Sequence, residues 1–130
     1  MAYQSFEKLE VWKRACRLAI EVSRALHDSR HYALKDQMQR AAISIPSNIA
    51  EGSERDSRQD FIRFLRIAKG SAAELRTQSY IARKLDLNSK SDADQFVQET
   101  KELSAMLQGL IRSFEKLKTE NLKLNTYGID

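Results

Sequence analysis

The stretch FVQETKELSAMLQGLIRSFEKL, residues 96–117, repeats one set of positions at alternating intervals of four and three residues. The positions in this register are Phe96, Thr100, Leu103, Leu107, Leu110, Phe114 and Leu117. Because such a repeat returns to the same side of an α-helix, it predicts a helix packed along its full length. The repeat is lost after about Lys118, and residues 119–130 are predicted to form a frayed tail.

Three more helices are predicted before this one, over about 6–26, 34–52 and 57–85, from apolar residues at helical spacing. Gly52 is a candidate helix end, and Ser57 and Ser91, each with an Asp three residues on, resemble capping boxes. The connections are short, so neighbouring helices should be antiparallel. Residues 1–118 are therefore predicted to be one all-α domain, an antiparallel up-down-up-down four-helix bundle. The apolar surface of the first helix is wider than a coiled-coil seam, which indicates self-association.

Composition agrees with this fold class. The chain has 130 residues, with four glycines and one proline among many strong helix formers. It lacks an apolar run of the roughly 20 residues that a membrane span needs, so a cytoplasmic protein without membrane contact is expected. A single cysteine, Cys16, cannot form an internal disulfide and is expected to be buried.

The only proline, Pro46, stands inside RAAISIPSNIAEGSER, residues 40–55, which otherwise reads as helical. Proline removes one backbone donor and crowds the preceding turn, so the second helix is predicted to be kinked there. Alternatively, that helix is broken and a new one begins at Pro46. On either reading, residues 44–52 are expected to serve architecture, by directing Glu51 and Gly52 into the turn that starts the third helix. A sharper hypothesis is a polar network between helices two and three, made by Asn48, Glu51, Ser71 and Glu74.

Signals for catalysis are weak. No Glu-x-x-His pair of the kind that builds di-metal bundles occurs, and there is no glycine-rich phosphate loop. His27 and His31 are spaced as a metal pair could be, but they lie in a predicted loop without a nearby cysteine. The sequence therefore predicts a noncatalytic protein with no catalytic residues, no metal site and no cofactor.

Positive charge is concentrated in residues 55–84, which contain eight Lys or Arg residues and three acidic residues. The whole chain carries a net charge of +4. Projected on a helix, six of these cations share an arc of roughly 100°. We call this set the basic stripe: Arg55, Arg58, Arg66, Lys69, Arg76 and Arg83. A stripe of cations suits a nucleic-acid backbone, RNA or DNA, because such binding needs little base-specific geometry. Alternatively, the stripe is a solvated face, or it pairs with acids such as Glu99 and Glu102. The protein would then be an interaction scaffold that uses the stripe for acidic partners or subunit contacts.

Four segments resemble a known family: FEKLEVWKRA (6–15), QMQRAA (37–42), SIPSNIAEG (44–52) and FIRFLRIAKGSAAEL (61–75). They are similar to the four-helix-bundle proteins encoded within 23S ribosomal RNA intervening sequences, over roughly residues 5–117. The motif positions that match are Ser44, Asn48, Ile49, Ala50, Glu51 and Gly52, then Gly70, Ser71, Glu74 and Leu75.

The family in turn resembles the Avd accessory proteins of diversity-generating retroelements, which form basic homopentamers and assist a reverse transcriptase. The resemblance implies a homo-oligomeric, pentameric accessory protein that contacts nucleic acid. In a retroelement context it implies a reverse transcriptase as partner. It implies no catalytic residues.

Overall fold

A computed structural model of the protein describes residues 5–126, with side chains described through residue 117. A short 3-10 turn, Phe6–Lys8, leads into four helices: α1 (Glu10–Ala25), α2 (Tyr32–Ser53), α3 (Arg58–Lys84) and α4 (Lys90–Thr126). Residues 5–126 contain no strand. The predicted all-α four-helix bundle is confirmed. Over the same residues, no helix has both the length and the apolar character that crossing a membrane requires.

The contacts between helices follow a regular order along the chain. From α3 to α4, Arg66 meets Glu115, Lys69 meets Gln108 and Arg83 meets Asp94, so rising numbers on one helix face falling numbers on the other. Antiparallel neighbours pair their residues in this order. The up-down-up-down arrangement of all four helices stays a prediction.

The first helix buries its apolar face within the bundle. Val11, Ala15, Leu18 and Val22 are buried, and Leu9, Trp12 and Ala19 are partly buried against the same core. The bundle covers much of this surface but leaves Ile20 of α1 51% exposed, and self-association through α1 stays a prediction.

Packing along α4 is less complete than its repeat predicts. Phe96, Thr100, Leu103 and Leu107 are buried, but Ile111 takes the place expected of Leu110, and Leu117 is 43% exposed. The cause is where α1 begins along α4. Helix α1 starts at Glu10, and its Arg14 already contacts Glu99 and Met106 of α4. The second half of α4 therefore extends past the start of α1.

The α4 backbone stays helical to Thr126, beyond the end predicted near Lys118. Residues 127–130 lie outside the described part of the chain, and fraying of the predicted tail stays a prediction.

Helix α2 runs without interruption from Tyr32 to Ser53, with Pro46 buried inside it. The alternative in which a new helix begins at Pro46 is therefore wrong, because its first turn would need a preceding break. A bend at Pro46 stays a prediction.

Gly52 lies one residue before the end of α2 at Ser53, close to the predicted helix end, and it also serves close packing. The helix continues through this residue to Ser53, and a Cβ built on Gly52 would lie 2.6 Å from Cβ of Phe64 on α3. The close approach of α2 and α3 therefore requires glycine at this position. A Cβ on Gly70, in contrast, would meet nothing within 4 Å.

The N-termini of α3 and α4 are each capped by a serine side chain. Ser57 Oγ accepts a hydrogen bond of 3.0 Å from the Asp60 N–H, which confirms the predicted cap of α3. The cap of α4 is Ser89, whose Oγ accepts from the Asp92 N–H at 3.0 Å, rather than the predicted Ser91. Sequence spacing does not separate the two, since each serine has an aspartate three residues on. Between the helices, Asp86 adopts a left-handed backbone with φ of 53°.

Candidate functional site

Three members of the basic stripe lie where α3 contacts α4. Lys69 Nζ donates to Gln108 Oε1 at 2.8 Å, Arg83 Nη1 lies 3.0 Å from Asp94 Oδ1, and Arg66 pairs with Glu115. The arrangement follows from helical spacing, since these cations flank the buried face of α3 that packs on the bundle core. These three residues thus border the groove between α3 and α4.

Arg55 and Arg58 belong to the α2–α3 corner. Arg55 precedes α3, which begins at Arg58, so projecting Arg55 on that helix was wrong. Its guanidinium lies 3.0 Å from Glu51 Oε1 and stands over the Phe64 ring, 5.0 Å from the centroid. Arg58 is half-buried and has interactions within the protein. These two cations are fixed locally, at a distance along the chain from the other four.

Several charges of the stripe remain available to a ligand. The Arg66 and Arg83 side chains are 62% and 39% exposed despite their carboxylate partners. Exposed ion pairs of this kind contribute only about 0 to 1 kcal/mol, so a phosphate can compete for them. Lys69 bonds a neutral amide, and Arg76 forms no ion pair with the side chains described through residue 117. Lys69 and Arg76 therefore carry positive charge without a carboxylate partner among the described side chains.

The acids that sequence reasoning named as alternative partners of the stripe bind elsewhere. Glu99 accepts from Arg14 of α1 through both oxygens, at 2.8 and 2.9 Å, and Glu102 lies 3.2 Å from the same guanidinium. The hydrogen bond to Glu99 raises the pKa of Arg14, which outweighs the lowering by burial. This cluster joins α1 to α4 and leaves the α3 cations to other partners.

A polar network does connect α2 and α3, with a membership that differs from the hypothesis. Ser44 Oγ lies 2.8 Å from Ser71 Oγ, and Asn48 Nδ2 donates to Ser44 Oγ at 2.9 Å and to the Ser44 carbonyl at 2.8 Å. Glu51 instead pairs with Arg55, and Glu74 is exposed. The two glutamates are exposed. The contact between the helices is the Ser44–Ser71 hydrogen bond, and Asn48 supports it from within α2.

Replacing Asn48 tests this network. Asn48→Ala should lower the free energy of unfolding by about 1 to 2 kcal/mol, because two hydrogen bonds in a half-buried site are lost. Chemical denaturation followed by circular dichroism measures the change. Ser47→Ala, on the exposed side of the same turn, should change it by less than about 0.5 kcal/mol. Equal effects of the two variants would contradict a structural role for the network.

Groups with catalytic potential lie apart from one another. His27 and His31 are exposed, and Cys16 is half-buried rather than buried, with its pKa raised by desolvation. Among the described residues, no cluster of three or more His, Cys, Asp or Glu could hold a metal ion.

Sequence reasoning missed a recess at the far end of the α3–α4 groove. It has a volume of about 540 Å³ and is lined by Tyr80, Arg83, Lys84, Asp86 and Lys90. Lys90 was overlooked because it belongs to α4, across the loop from the other cations. The signal that could have revealed it is the short connection, which must bring the first residue of α4 near the last turn of α3.

Exposed isoleucines were also missed. Ile43 of α2, with Ile67 and Ile81 of α3, are 43% to 53% exposed. A second row at helical spacing on α3, from Ile67 through Gly70, Glu74 and Thr77 to Ile81, could have indicated this outer face.

Comparisons with known proteins give one family and one fold. The model of a family described as 23S rRNA-intervening sequence protein matches residues 7–109. A solved structure from Bacteroides thetaiotaomicron, of a protein of unknown function from the S23 ribosomal protein family, is similar with a TM-score of 0.73 and 21% identity. The match covers 78% of this chain and 97% of that one, and at this identity it shows a shared fold alone. No curated protein matches this chain.

Proposed function

Because the chain belongs to the 23S rRNA-intervening sequence protein family, we propose a role that fits its charge and fold. The protein is a noncatalytic accessory protein that binds the backbone of RNA or DNA along the α3–α4 groove. Four stripe residues supply the phosphate contacts: Arg66, Lys69, Arg76 and Arg83. Arg55 and Arg58 extend the positive surface at the α2–α3 corner.

The observation that carries this proposal is the excess of cations bordering the groove. Among the four central stripe residues, Arg66 and Arg83 have carboxylate partners, whereas Lys69 and Arg76 have none among the side chains described. Each phosphate contact releases counterions from the nucleic acid, which favours binding. The exposed ion pairs are weak, so a phosphate can displace their carboxylates. Such binding does not depend on base sequence, because the groove places side-chain charge rather than base-reading geometry.

Self-association completes the proposal. Ile43, Ile67 and Ile81 are among the exposed apolar side chains from which a homo-oligomeric contact would be built. A homopentamer is the stoichiometry that the family resemblance implies, and a ring of copies would multiply the groove around one nucleic acid. A reverse transcriptase remains the proposed protein partner where the gene lies in a retroelement.

Binding to single-stranded RNA, duplex RNA and duplex DNA tests the function directly. At low salt, fluorescence anisotropy with the purified protein should detect binding to at least one of the three. The affinity should fall by more than about tenfold at near-physiological salt. Absence of binding to all three at low salt would overturn the proposal.

A protein-interaction scaffold is the second candidate, and one observation favours it. Three stripe arginines, Arg55, Arg66 and Arg83, already hold carboxylates of this chain. Carboxylates of another protein or subunit could take the same positions. Retention of an acidic protein partner together with no affinity for nucleic acid would favour this role.

A further inference from the structure

The recess between the end of α3 and the start of α4 combines an aromatic ring with a cluster of cations. Tyr80 is 48% exposed, and Arg83, Lys84 and Lys90 line the recess with it, against one carboxylate, Asp86. Neither Lys84 nor Lys90 forms an ion pair with the side chains described through residue 117. The exposed Tyr80 thus shares the recess with two lysines that hold no carboxylate among the described side chains, and with Arg83, which is paired with Asp94.

The fold explains why these residues meet. Asp86 takes a left-handed backbone, and the Leu87 N–H donates to the Ala82 carbonyl at 3.0 Å, which ends α3 sharply. The chain then reverses within a few residues, and Lys90 opens α4 beside the last turn of α3. Arg83 is held toward this side by Asp94 of α4, at 3.0 Å. The geometry is therefore set by a capped turn rather than by a long loop.

From this arrangement we infer that the recess is a binding site for a single-stranded nucleotide segment. A base stacks on the Tyr80 ring, and Lys84 and Lys90 contact the adjoining phosphates. Every base has a π-face, so stacking on an exposed aromatic flanked by cations is tolerant of sequence and requires an unpaired base. The inference rests on the proposed function and adds to it a preference for single strands.

Continuity with the groove supports the placement. Arg83 belongs both to the basic stripe and to the recess, and Arg76 precedes Tyr80 by one helical turn on α3. A strand whose phosphates follow the stripe therefore arrives at the tyrosine. Duplex nucleic acid keeps its bases stacked on one another. Its phosphates can contact the stripe, but none of its bases can stack on the Tyr80 ring.

The test compares a short single-stranded oligothymidylate with an abasic strand of the same length, which keeps the phosphates and lacks bases. Wild-type protein should bind the strand with bases more tightly, by roughly five- to 150-fold. Tyr80→Ala should remove this preference while leaving the affinity for the abasic strand and for duplex DNA unchanged. Tyr80→Phe should retain it, since the ring persists. Tyr32→Ala is the matched control, because Tyr32 is a 71% exposed tyrosine on α2 that does not line the recess.

Each outcome separates the inference from the function it rests on. If wild-type protein binds neither strand, the proposed function fails along with the inference. If it binds both strands equally, or if Tyr80→Ala keeps the preference, the stacking site is overturned while backbone binding stands. Loss of the preference for the strand with bases in Tyr80→Phe or in Tyr32→Ala would also overturn the stacking site, because neither change removes the aromatic ring from the recess.

Discussion

Gly52→Ala is expected to lower the free energy of unfolding by about 2 kcal/mol, although alanine is the better helix former. The added Cβ would lie 2.6 Å from Cβ of Phe64 and 3.1 Å from Cδ1 of Phe61. The Phe64 Cβ is fixed to the α3 backbone, so no rotamer change can relieve the contact. The two helices would have to move apart, and the buried contacts between them would loosen.

Gly70→Ala is the matched control for this prediction. Gly70 also lies inside a helix, but its Cβ would meet nothing within 4 Å. Without a clash, only the helix propensity counts, and this variant should raise the free energy of unfolding by about 0.5 to 1 kcal/mol. Urea denaturation of both variants measures whether each substitution raises or lowers the free energy of unfolding. A neutral or stabilising Gly52→Ala would contradict the close approach of α2 and α3.

The second large effect is expected on binding. Lys69→Glu/Arg76→Glu should weaken binding to single-stranded RNA by roughly a hundredfold at low salt, about tenfold for each residue. These two cations are the best residues to substitute, because neither has a carboxylate partner among the described side chains. Reversing Arg66 instead would also repel Glu115, its partner on α4. A change in affinity could then reflect altered packing.

Arg17→Glu/Arg24→Glu controls for net charge. Both arginines are exposed on α1, so this variant changes the charge of the protein by the same amount on another helix. It should weaken binding far less than the α3 variant, provided that circular dichroism shows both to be folded. Equal weakening by the two variants would mean that overall charge, rather than the α3–α4 groove, determines binding.

The helices were predictable from the sequence because apolar spacing and caps are local signals. Ser57 illustrates this success, whereas Ser89 and Ser91 carry equal spacing signals, and the spacing alone does not indicate that Ser89 is the cap. Gly52 illustrates the opposite case. Its sequence context indicated the helix end, which lies one residue later, but its close packing depends on Phe64 of another helix, which no local pattern reports.

The candidate site was predictable only in part. Charge counting found the cations of α3, yet their partners depend on which acids of α4 face them. Glu115 and Asp94 do, whereas Glu99 and Glu102 turn to Arg14. The recess at Tyr80 was missed for a related reason, since it joins residues of two helices across a capped turn.

The salt dependence of nucleic-acid affinity is the most direct measurement of whether the stripe binds phosphates. If Arg66, Lys69, Arg76 and Arg83 each contact one phosphate, log K for duplex DNA should fall against log salt with a slope of about −3 to −4. In Lys69→Glu/Arg76→Glu the slope should become shallower by about 2. A wild-type slope near zero, or a slope that the double variant leaves unchanged, would contradict phosphate binding by the α3–α4 groove.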